Sequence, residues 1–452
     1  MIPNPSVFRA NDIRGIADTD LTSEFVTLLG RAYGSHVLAQ GGTQVCVGRD
    51  CRLHGPRIRD ALIDGILQTG LNVIDVGVVP SPLLYFAVFH LDTDGGVQIT
   101  GSHNPKEFNG FKMMLGKSSL HGENITRLRE RIERRDFLVG EGTLTEQSID
   151  EDYAHLAAEN LHVGPRKLKV VVDGGNGAGG PTAMAVLKAL HVETIPLYVE
   201  MDGSFPNHHP DPTVVENLQE LIATVKATGA DLGVGYDGDG DRLGIVDETG
   251  EIIWGDRLMI LLSRDLLREC PGSSIVAEVK CSKTLFEDIA KHGGRPIMSA
   301  VGHSLIKARM VKEDAMLGGE MSGHIFFKHR WYGFDDAVYA TCRLLEILGR
   351  DDRTLSEHLA DVPKTHVTPE IRLDCPDDIK FGVVKEAQDH YRATHRVVEI
   401  DGARIDFEGG WGLIRASNTQ PVIVLRAEGA SAEARDAIRD ELTAFVDARV
   451  RP

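Results

Sequence analysis

The sequence predicts an α/β protein built from three related α/β units and a smaller α+β unit at the C-terminal end. Three observations predict it. Short apolar runs alternate with amphipathic segments of helical period, the pattern of βα units. That alternation begins again near Leu168 and again near Ser274. The last stretch instead groups several strand-like runs before one long amphipathic helix.

In the first unit, Val45 to Val47, Val73 to Val79 and Val97 to Thr100 read as strands. Phe25, Leu28, Leu29 and Ala32 recur at helical spacing and define a buried face. Leu168 to Val172 opens the second unit, which runs to an acidic cluster near residue 240. Ser274 to Val279 opens the third, which ends near Phe327. In the last unit, Val397 to Ile400, Ile405 to Phe407 and Val422 to Leu425 read as strands. A helix follows with Ile438, Leu442, Phe445 and Val446 on one face. The boundaries expected from these shifts give units 1–147, 148–251, 252–363 and 364–452. No low-complexity linker separates them, so they are expected to pack closely around one cleft.

The 452 residues suffice for several cores. A formal net charge of −18 argues against a nucleic-acid surface and requires any anionic substrate to find a locally basic pocket. The six cysteines are scattered with no Cys-x-x-Cys pair, as for reduced thiols in a cytosolic protein. The first residues show no basic segment followed by an apolar one, and no run is apolar enough to span a membrane. A cytoplasmic protein, monomeric or weakly dimeric, is the expectation.

Asp237-Gly238-Asp239-Gly240-Asp241, followed by Arg242, carries the strongest chemical signal. Three carboxylates this close repel one another unless a cation compensates them. Oxygen ligands without Cys or His point to Mg²⁺ or Ca²⁺ rather than Zn²⁺. Asp237, Asp239, Asp241 and Glu248 fit four positions of an EF-hand loop, but the obligatory glycine is replaced by Arg242. The flanks, Leu232, Val234 and Tyr236 before and Leu243, Ile245 and Val246 after, alternate as strands and not as helices. A metal loop between two strands, beside an arginine, suits phosphate chemistry.

Several further segments carry candidate chemistry. Thr100-Gly101-Ser102-His103-Asn104-Pro105 places a serine on a tight turn after a strand, where its hydroxyl could accept a phosphoryl group. Lys112 follows closely and could pair with a phosphate or move a proton; Arg14, before Gly15, suits bidentate phosphate contact. Gly319-Glu320-Met321-Ser322-Gly323-His324 offers several partners to sugar hydroxyls. Arg415-Ala416-Ser417-Asn418-Thr419 makes a plausible phosphate cradle. Gly175 to Gly180 fits G-x-G-x-x-G after a strand, the mark of a dinucleotide site. No acidic residue stands convincingly at the next strand end, so the glycines read as a close strand-to-helix turn at a unit junction.

Taken in order, Asn-Asp-Ile-Arg-Gly, Thr-Gly-Ser-His-Asn-Pro, Asp-Gly-Asp-Gly-Asp-Arg, Gly-Glu-Met-Ser-Gly-His and Arg-Ala-Ser-Asn-Thr resemble the α-D-phosphohexomutase superfamily over the whole length, most closely its bacterial phosphomannomutase/phosphoglucomutase branch. The resemblance implies three mixed-sheet α/β domains and a C-terminal α+β domain around a deep central cleft. It implies Ser102 carried as phosphoserine and Mg²⁺ held by Asp237, Asp239, Asp241 and that phosphate. A hexose 1,6-bisphosphate would form, turn over in the cleft and rephosphorylate Ser102, with glucose 1,6-bisphosphate (or mannose 1,6-bisphosphate) as activator. Glu320 and Ser322, with His324 nearby, would meet the sugar hydroxyls. Arg415, Ser417, Asn418 and Thr419 would anchor the distal phosphate, while Arg14, Lys112, Arg242, Lys280 and His303 complete a basic pocket. Arg14, His103, Lys112 and His324 are the candidates for proton transfer.

Two loops pull in different directions on the sugar. Val301-Gly302-His303 is similar to the phosphoglucosamine mutase branch, whereas Met321 is similar to the mannose and glucose branch. Phosphoglucosamine mutase is therefore the alternative within the class. A noncatalytic calcium- or nucleotide-binding protein is the alternative outside it.

Overall fold

A computed structural model of the chain describes residues 4–9, 12–417 and 421–450. Its strands form four sheets, and the first three share one plan. In the first, Gln44–Arg49 lies between Asn72–Val78 and Gly95–Ile99, all parallel, and Phe108–Leu115 then returns antiparallel to Gly95–Ile99. In the second, Lys169–Asp173 lies between Glu193–Leu197 and Leu232–Tyr236, and Leu243–Asp247 returns antiparallel. In the third, Ser274–Glu278 lies between Arg295–Ser299 and Leu317–Gly319, and Ile325–Phe327 returns antiparallel. The spatial order of the four strands is second, first, third, fourth each time.

The plan positions the chemistry. The turn from the third strand to the antiparallel fourth carries Ser102 in the first sheet, Asp237 to Asp241 in the second, and Glu320 to His324 in the third. Each turn therefore lies at the C-terminal end of a parallel strand, where open α/β sheets place their sites. The fourth sheet is antiparallel throughout its pairings. In it Gly410–Ala416 pairs with Val422–Gly429, and Arg415 lies near the end of the first of these strands, opposite Val424.

Additional strands extend these cores. Ile13–Ile16 pairs antiparallel with Phe108–Leu115, which places Arg14 opposite Gly110, two residues from Lys112. Ile252–Ile253 pairs with Leu243–Asp247 and adds an edge to the second sheet.

The largest core runs through the first three units. Helices Ser81–His90 and Ala337–Leu348 are buried on nearly every face and are mostly apolar, the buried Arg343 of the second pairing with Glu346. Around them Phe86 stacks on Trp331, and Trp331 on Tyr339. Each large side chain so enclosed contributes about 1.5–3 kcal/mol, enough together to hold the three functional turns in register. The fourth sheet packs its own core, in which Ile438, Leu442, Phe445 and Val446 of helix Ala432–Val450 are buried, the face expected from the sequence. All six cysteines are free thiols. Among the described residues no helix is long and apolar enough to cross a membrane.

Candidate active site

The turn after Gly95–Ile99 is built to present one hydroxyl. Asp50, at the end of the neighbouring strand, accepts hydrogen bonds from Thr100 Oγ1 (2.7 Å) and the Gly101 amide (3.2 Å). Thr100 Oγ1 in turn accepts from the Ser102 amide (2.8 Å). From below, the buried Arg52 guanidinium donates to the carbonyls of Ser102 (2.8 Å), Asn104 (2.6 Å), Pro105 (2.7 Å) and Phe108 (2.8 Å). This clamp holds Ser102 at φ +48°, a left-handed conformation that L-residues adopt at a cost of about 1–2 kcal/mol.

So placed, Ser102 Oγ lies 2.8 Å from Asp237 Oδ2 and 3.0 Å from His103 Nδ1. Burial, then the charges of Arg242 and Arg14, push the His103 imidazole well below its ordinary value. It is neutral and can exchange a proton with the hydroxyl beside it.

The three aspartates lie directly behind, all fully buried. Asp237 Oδ1 accepts the amides of Asp241 and Arg242, both at 3.1 Å. Lys112 Nζ donates to Asp239 Oδ2 (2.5 Å) and to Asp241 Oδ2, and Ser81 Oγ donates to Asp239 Oδ2. Lys112 thus pairs with the acidic turn, where the sequence had suggested a phosphate partner or a proton carrier. Burial opposes the lysine's charge, but Asp239 and Asp241 overcome it and hold the ammonium.

One ammonium does not satisfy three carboxylates. Burial and the neighbouring charges raise Asp237 well above the usual carboxylate range and raise Asp241 too. Asp239 Oδ1 and Asp241 Oδ1 are buried and accept no hydrogen bond among the described residues. One carboxylate oxygen from each aspartate can be chosen so that all three lie within 4.8 Å of one another. Unmatched, hard, anionic oxygens converging on one point fit a divalent cation such as Mg²⁺.

The second and third turns are joined. Arg242 and His324 form an isolated antiparallel bridge, and Arg242 Nε donates to His324 Nε2 (3.1 Å). His324 Nδ1 faces Asp335 Oδ2 at 3.1 Å and Asp241 Oδ1 at 3.6 Å. Glu320 Oε1 accepts the Gly302 amide (2.6 Å), and Ser322 Oγ donates to Glu320 Oε2 (3.4 Å). The His303 ring stacks against that of His324, its Nδ1 3.6 Å from Asp335 Oδ2.

A cleft of about 1210 Å³ opens over these groups and is lined from all four units. Arg14, Ser102, His103, Lys112, Arg242, Lys280, His303, Glu320, Ser322, His324, Arg415 and Ser417 all face it. Asp237, Asp239 and Asp241 stand behind its wall. Arg14 donates to Asn104 Oδ1 (2.9 Å) and Asp12 Oδ2 (2.6 Å). Lys280 Nζ lies 3.8 Å from Glu278 Oε2 and 3.9 Å from Glu370 Oε2. Asn418 and Thr419 lie outside the described residues.

Sequence reasoning missed Asp50, Arg52, Ser81 and Asp335. Asp50 and Arg52 had a usable signal, since they follow the central parallel strand of the first sheet. Two of the glycines from Gly175 to Gly180 pack against the acidic turn itself. A Cβ on Gly177 would lie 2.8 Å from the Gly238 carbonyl oxygen, and one on Gly179 would lie 3.1 Å from Gly240 Cα.

The chain matches family models for each unit. Phosphoglucomutase/phosphomannomutase α/β/α domains I, II and III match residues 5–138, 151–250 and 254–366, and the C-terminal domain matches 370–445. It is 47% identical over 435 residues to phosphomannomutase/phosphoglucomutase of Pseudomonas aeruginosa, covering 96% of this chain and 94% of the relative. It is 42% identical over 446 residues to phosphoglucomutase of Neisseria meningitidis serogroup A, covering 98% and 96%. The crystal structure of a phosphoglucomutase/phosphomannomutase family protein from Burkholderia thailandensis superposes with a TM-score of 0.93 at 42% identity, covering 99% of this chain and 98% of that one. A hydroxyl beside an acidic triad, in a basic cleft shared by four units of this descent, places the chain in the bacterial phosphomannomutase/phosphoglucomutase branch of the α-D-phosphohexomutase superfamily.

Proposed function

We propose that the protein interconverts the 1- and 6-phosphates of mannose and glucose by reversible phosphoryl transfer through Ser102. The carrying observation is Ser102 Oγ held 2.8 Å from Asp237 at the floor of a cleft lined from all four units. Phosphorylated Ser102 gives its phosphoryl group to the free hydroxyl of a bound hexose phosphate. The P–Oγ bond breaks as the new P–O bond forms; the sugar hydroxyl gives its proton to a base of the site, and the leaving Ser102 Oγ takes one from an acid of the site. The resulting hexose 1,6-bisphosphate turns over in the cleft and returns its other phosphoryl group to Ser102. A supply of glucose or mannose 1,6-bisphosphate primes the serine.

Asp237, Asp239 and Asp241, with an oxygen of the serine phosphate, would hold Mg²⁺, which would supply charge neutralisation for the transferring group. Arg14, His103, Lys112 and His324 are the candidates for the proton-transfer work. Neutral His103 is the group already within 3.0 Å of Ser102 Oγ. Glu320 and Ser322 orient sugar hydroxyls, and Arg415 and Ser417, with Asn418 and Thr419, anchor the phosphate that is not reacting. Arg242 and Lys280 keep the cleft cationic, which a chain of net charge −18 needs for a doubly anionic substrate, whereas burial and the Lys307 charge keep the His303 imidazole neutral. The functional units divide near residues 147, 251 and 363, and the last of these divisions is the proposed hinge about which the fourth unit closes over bound sugar.

The test is kcat/KM for mannose 1-phosphate, glucose 1-phosphate and glucosamine 1-phosphate, with Mg²⁺ and a trace of glucose 1,6-bisphosphate. Turnover of the first two supports the reading. Preference for the amino sugar would move the protein to the branch that Val301-Gly302 resembles, and no turnover on any of the three would overturn the proposal.

A further inference from the structure

The Arg415 side chain is held from behind by a residue that does not line the cleft. Asp401 Oδ2 accepts Arg415 Nε at 2.8 Å, and the same oxygen accepts the backbone amide of Val301 at 3.0 Å. Asp401 and Arg415 belong to the fourth sheet's unit, whereas Val301 precedes the third unit's helix His303–Glu313. A single carboxylate oxygen therefore ties the arginine of one unit to a loop of another.

The next residue continues the line. The Gly302 amide donates to Glu320 Oε1 at 2.6 Å. Consecutive amides of one loop are thus held by Asp401 and Glu320, and Asp401 also holds Arg415. The connection runs from Arg415 through Asp401, Val301 and Gly302 to Glu320.

The turn carrying Asp401 is shaped for this contact. Gly402 has φ +98°, and a Cβ there would lie 2.4 Å from the Ile414 carbonyl oxygen and 3.0 Å from Arg415 Cα. Only glycine lets the turn lie against the arginine's backbone. Two residues on, Arg404 is stacked 3.6 Å over Trp411 and donates to the carbonyl oxygens of Val279 and, at 2.7 Å, Cys281, fixing the same turn to the third unit.

We propose that Asp401 is a positioning residue that couples Arg415 to the sugar-facing loop. When the fourth unit sits over the third, the carboxylate aims the guanidinium and fixes the 301–302 amides in one step, so that anchoring an anion at Arg415 also tightens the grip of Glu320. The role assigned to Arg415 rests on the mutase reading given above.

A mutant cycle tests it. Asp401→Ala is expected to lower kcat/KM for glucose 1-phosphate about tenfold, mainly through KM, the size of one lost charge-assisted hydrogen bond. Arg415→Lys, which lacks the Nε–H, is expected to lower it as well. The double variant should lose less than the product of the two single losses, because the aspartate acts in part through the arginine. Losses that multiply would overturn the coupling. If Asp401→Ala lowers the melting temperature, the isosteric Asp401→Asn takes its place under the same requirement. Hydrogen exchange of residues 299–303 supplies a readout that needs no turnover. Inorganic phosphate should slow it in the wild type and fail to do so in Asp401→Ala; slowing retained in the variant would overturn the proposal. An inactive wild type that still shows this difference would sink the mutase reading and leave the coupling standing.

Discussion

Replacing Arg52 by lysine removes the clamp beneath the nucleophile turn while keeping its charge. The guanidinium reaches four carbonyls from two nitrogens, at 2.6 to 2.8 Å. An ammonium is a single point with three donors and cannot span the same set. Losing two of the four, at about 1.5 kcal/mol each for bonds from a charged donor, takes roughly 3 kcal/mol from the turn. Ser102 holds left-handed strain of about 1–2 kcal/mol that favours release. Water entering the gap offsets part of the loss, so the competent turn should be depopulated about ten- to hundredfold. Because Arg415, Glu320 and Ser322 are untouched, the loss belongs in kcat, with KM within about threefold of wild type. The assay is steady-state conversion of glucose 1-phosphate with Mg²⁺ and glucose 1,6-bisphosphate, alongside a melting curve showing that the variant is folded. A folded variant with kcat within about twofold of wild type, or one in which only KM rises, would refute the argument.

Three further outcomes follow from the same geometry. Ser102→Ala should abolish turnover and, after incubation with glucose 1,6-bisphosphate, should show no phosphate on the 100–108 segment by mass spectrometry; a wild-type rate would exclude Ser102 as carrier. Lys112→Met leaves Asp239 and Asp241 buried without their counter-charge, so in chelator it should lose roughly 3–5 kcal/mol. Excess Mg²⁺ should raise its melting temperature more than that of wild type, and an equal rise in both would count against a cation at those oxygens. His208 Nε2 lies 3.0 Å from Asp173 Oδ2; burial opposes its charge, but the aspartate overcomes this and raises its pKa above the ordinary 6.5. That contribution is complete below the unfolded value and lost as pH rises through the folded one, so His208→Asn should cost more stability near pH 5.5 than near pH 9. Denaturant unfolding at both pH values checks the sign, and equal losses would contradict it.

The βα alternation, its two recurrences and the helical face at Ile438 to Val446 were legible because hydrophobic periodicity is local. The functional turns were legible for the same reason: each is a short run between two strand patterns. The acidic run reads as a strand hairpin and not an EF-hand because Leu232, Val234 and Tyr236 alternate, and the structure pairs Tyr236 with Leu243 across it. The strand Gly410–Ala416 was harder to see, since glycine is depleted in strands. Its glycines are set by packing: a Cβ on Gly412 would lie 2.6 Å from a Leu442 methyl of helix Ala432–Val450. What could not be read were partners distant in the chain. Arg52 meets Ser102 across 50 residues, and Asp401 meets Val301 across 100. An isolated arginine or aspartate carries no mark of such a partner, because the contact is fixed only when the sheets pack.

Gly177 lies against Gly238 with no room for a methyl group between the two turns, and Gly179 lies almost as tightly against Gly240. This makes them one inherited unit, although about sixty residues separate them. A mutation in either turn cannot be accommodated by drift in the other, since neither has a smaller residue to offer. In descendants of this chain, an intact Asp-Gly-Asp-Gly-Asp would therefore be a poor guide to retained chemistry if Gly177 had been lost. The three acids would persist in the sequence while the surface that sets them in place had gone.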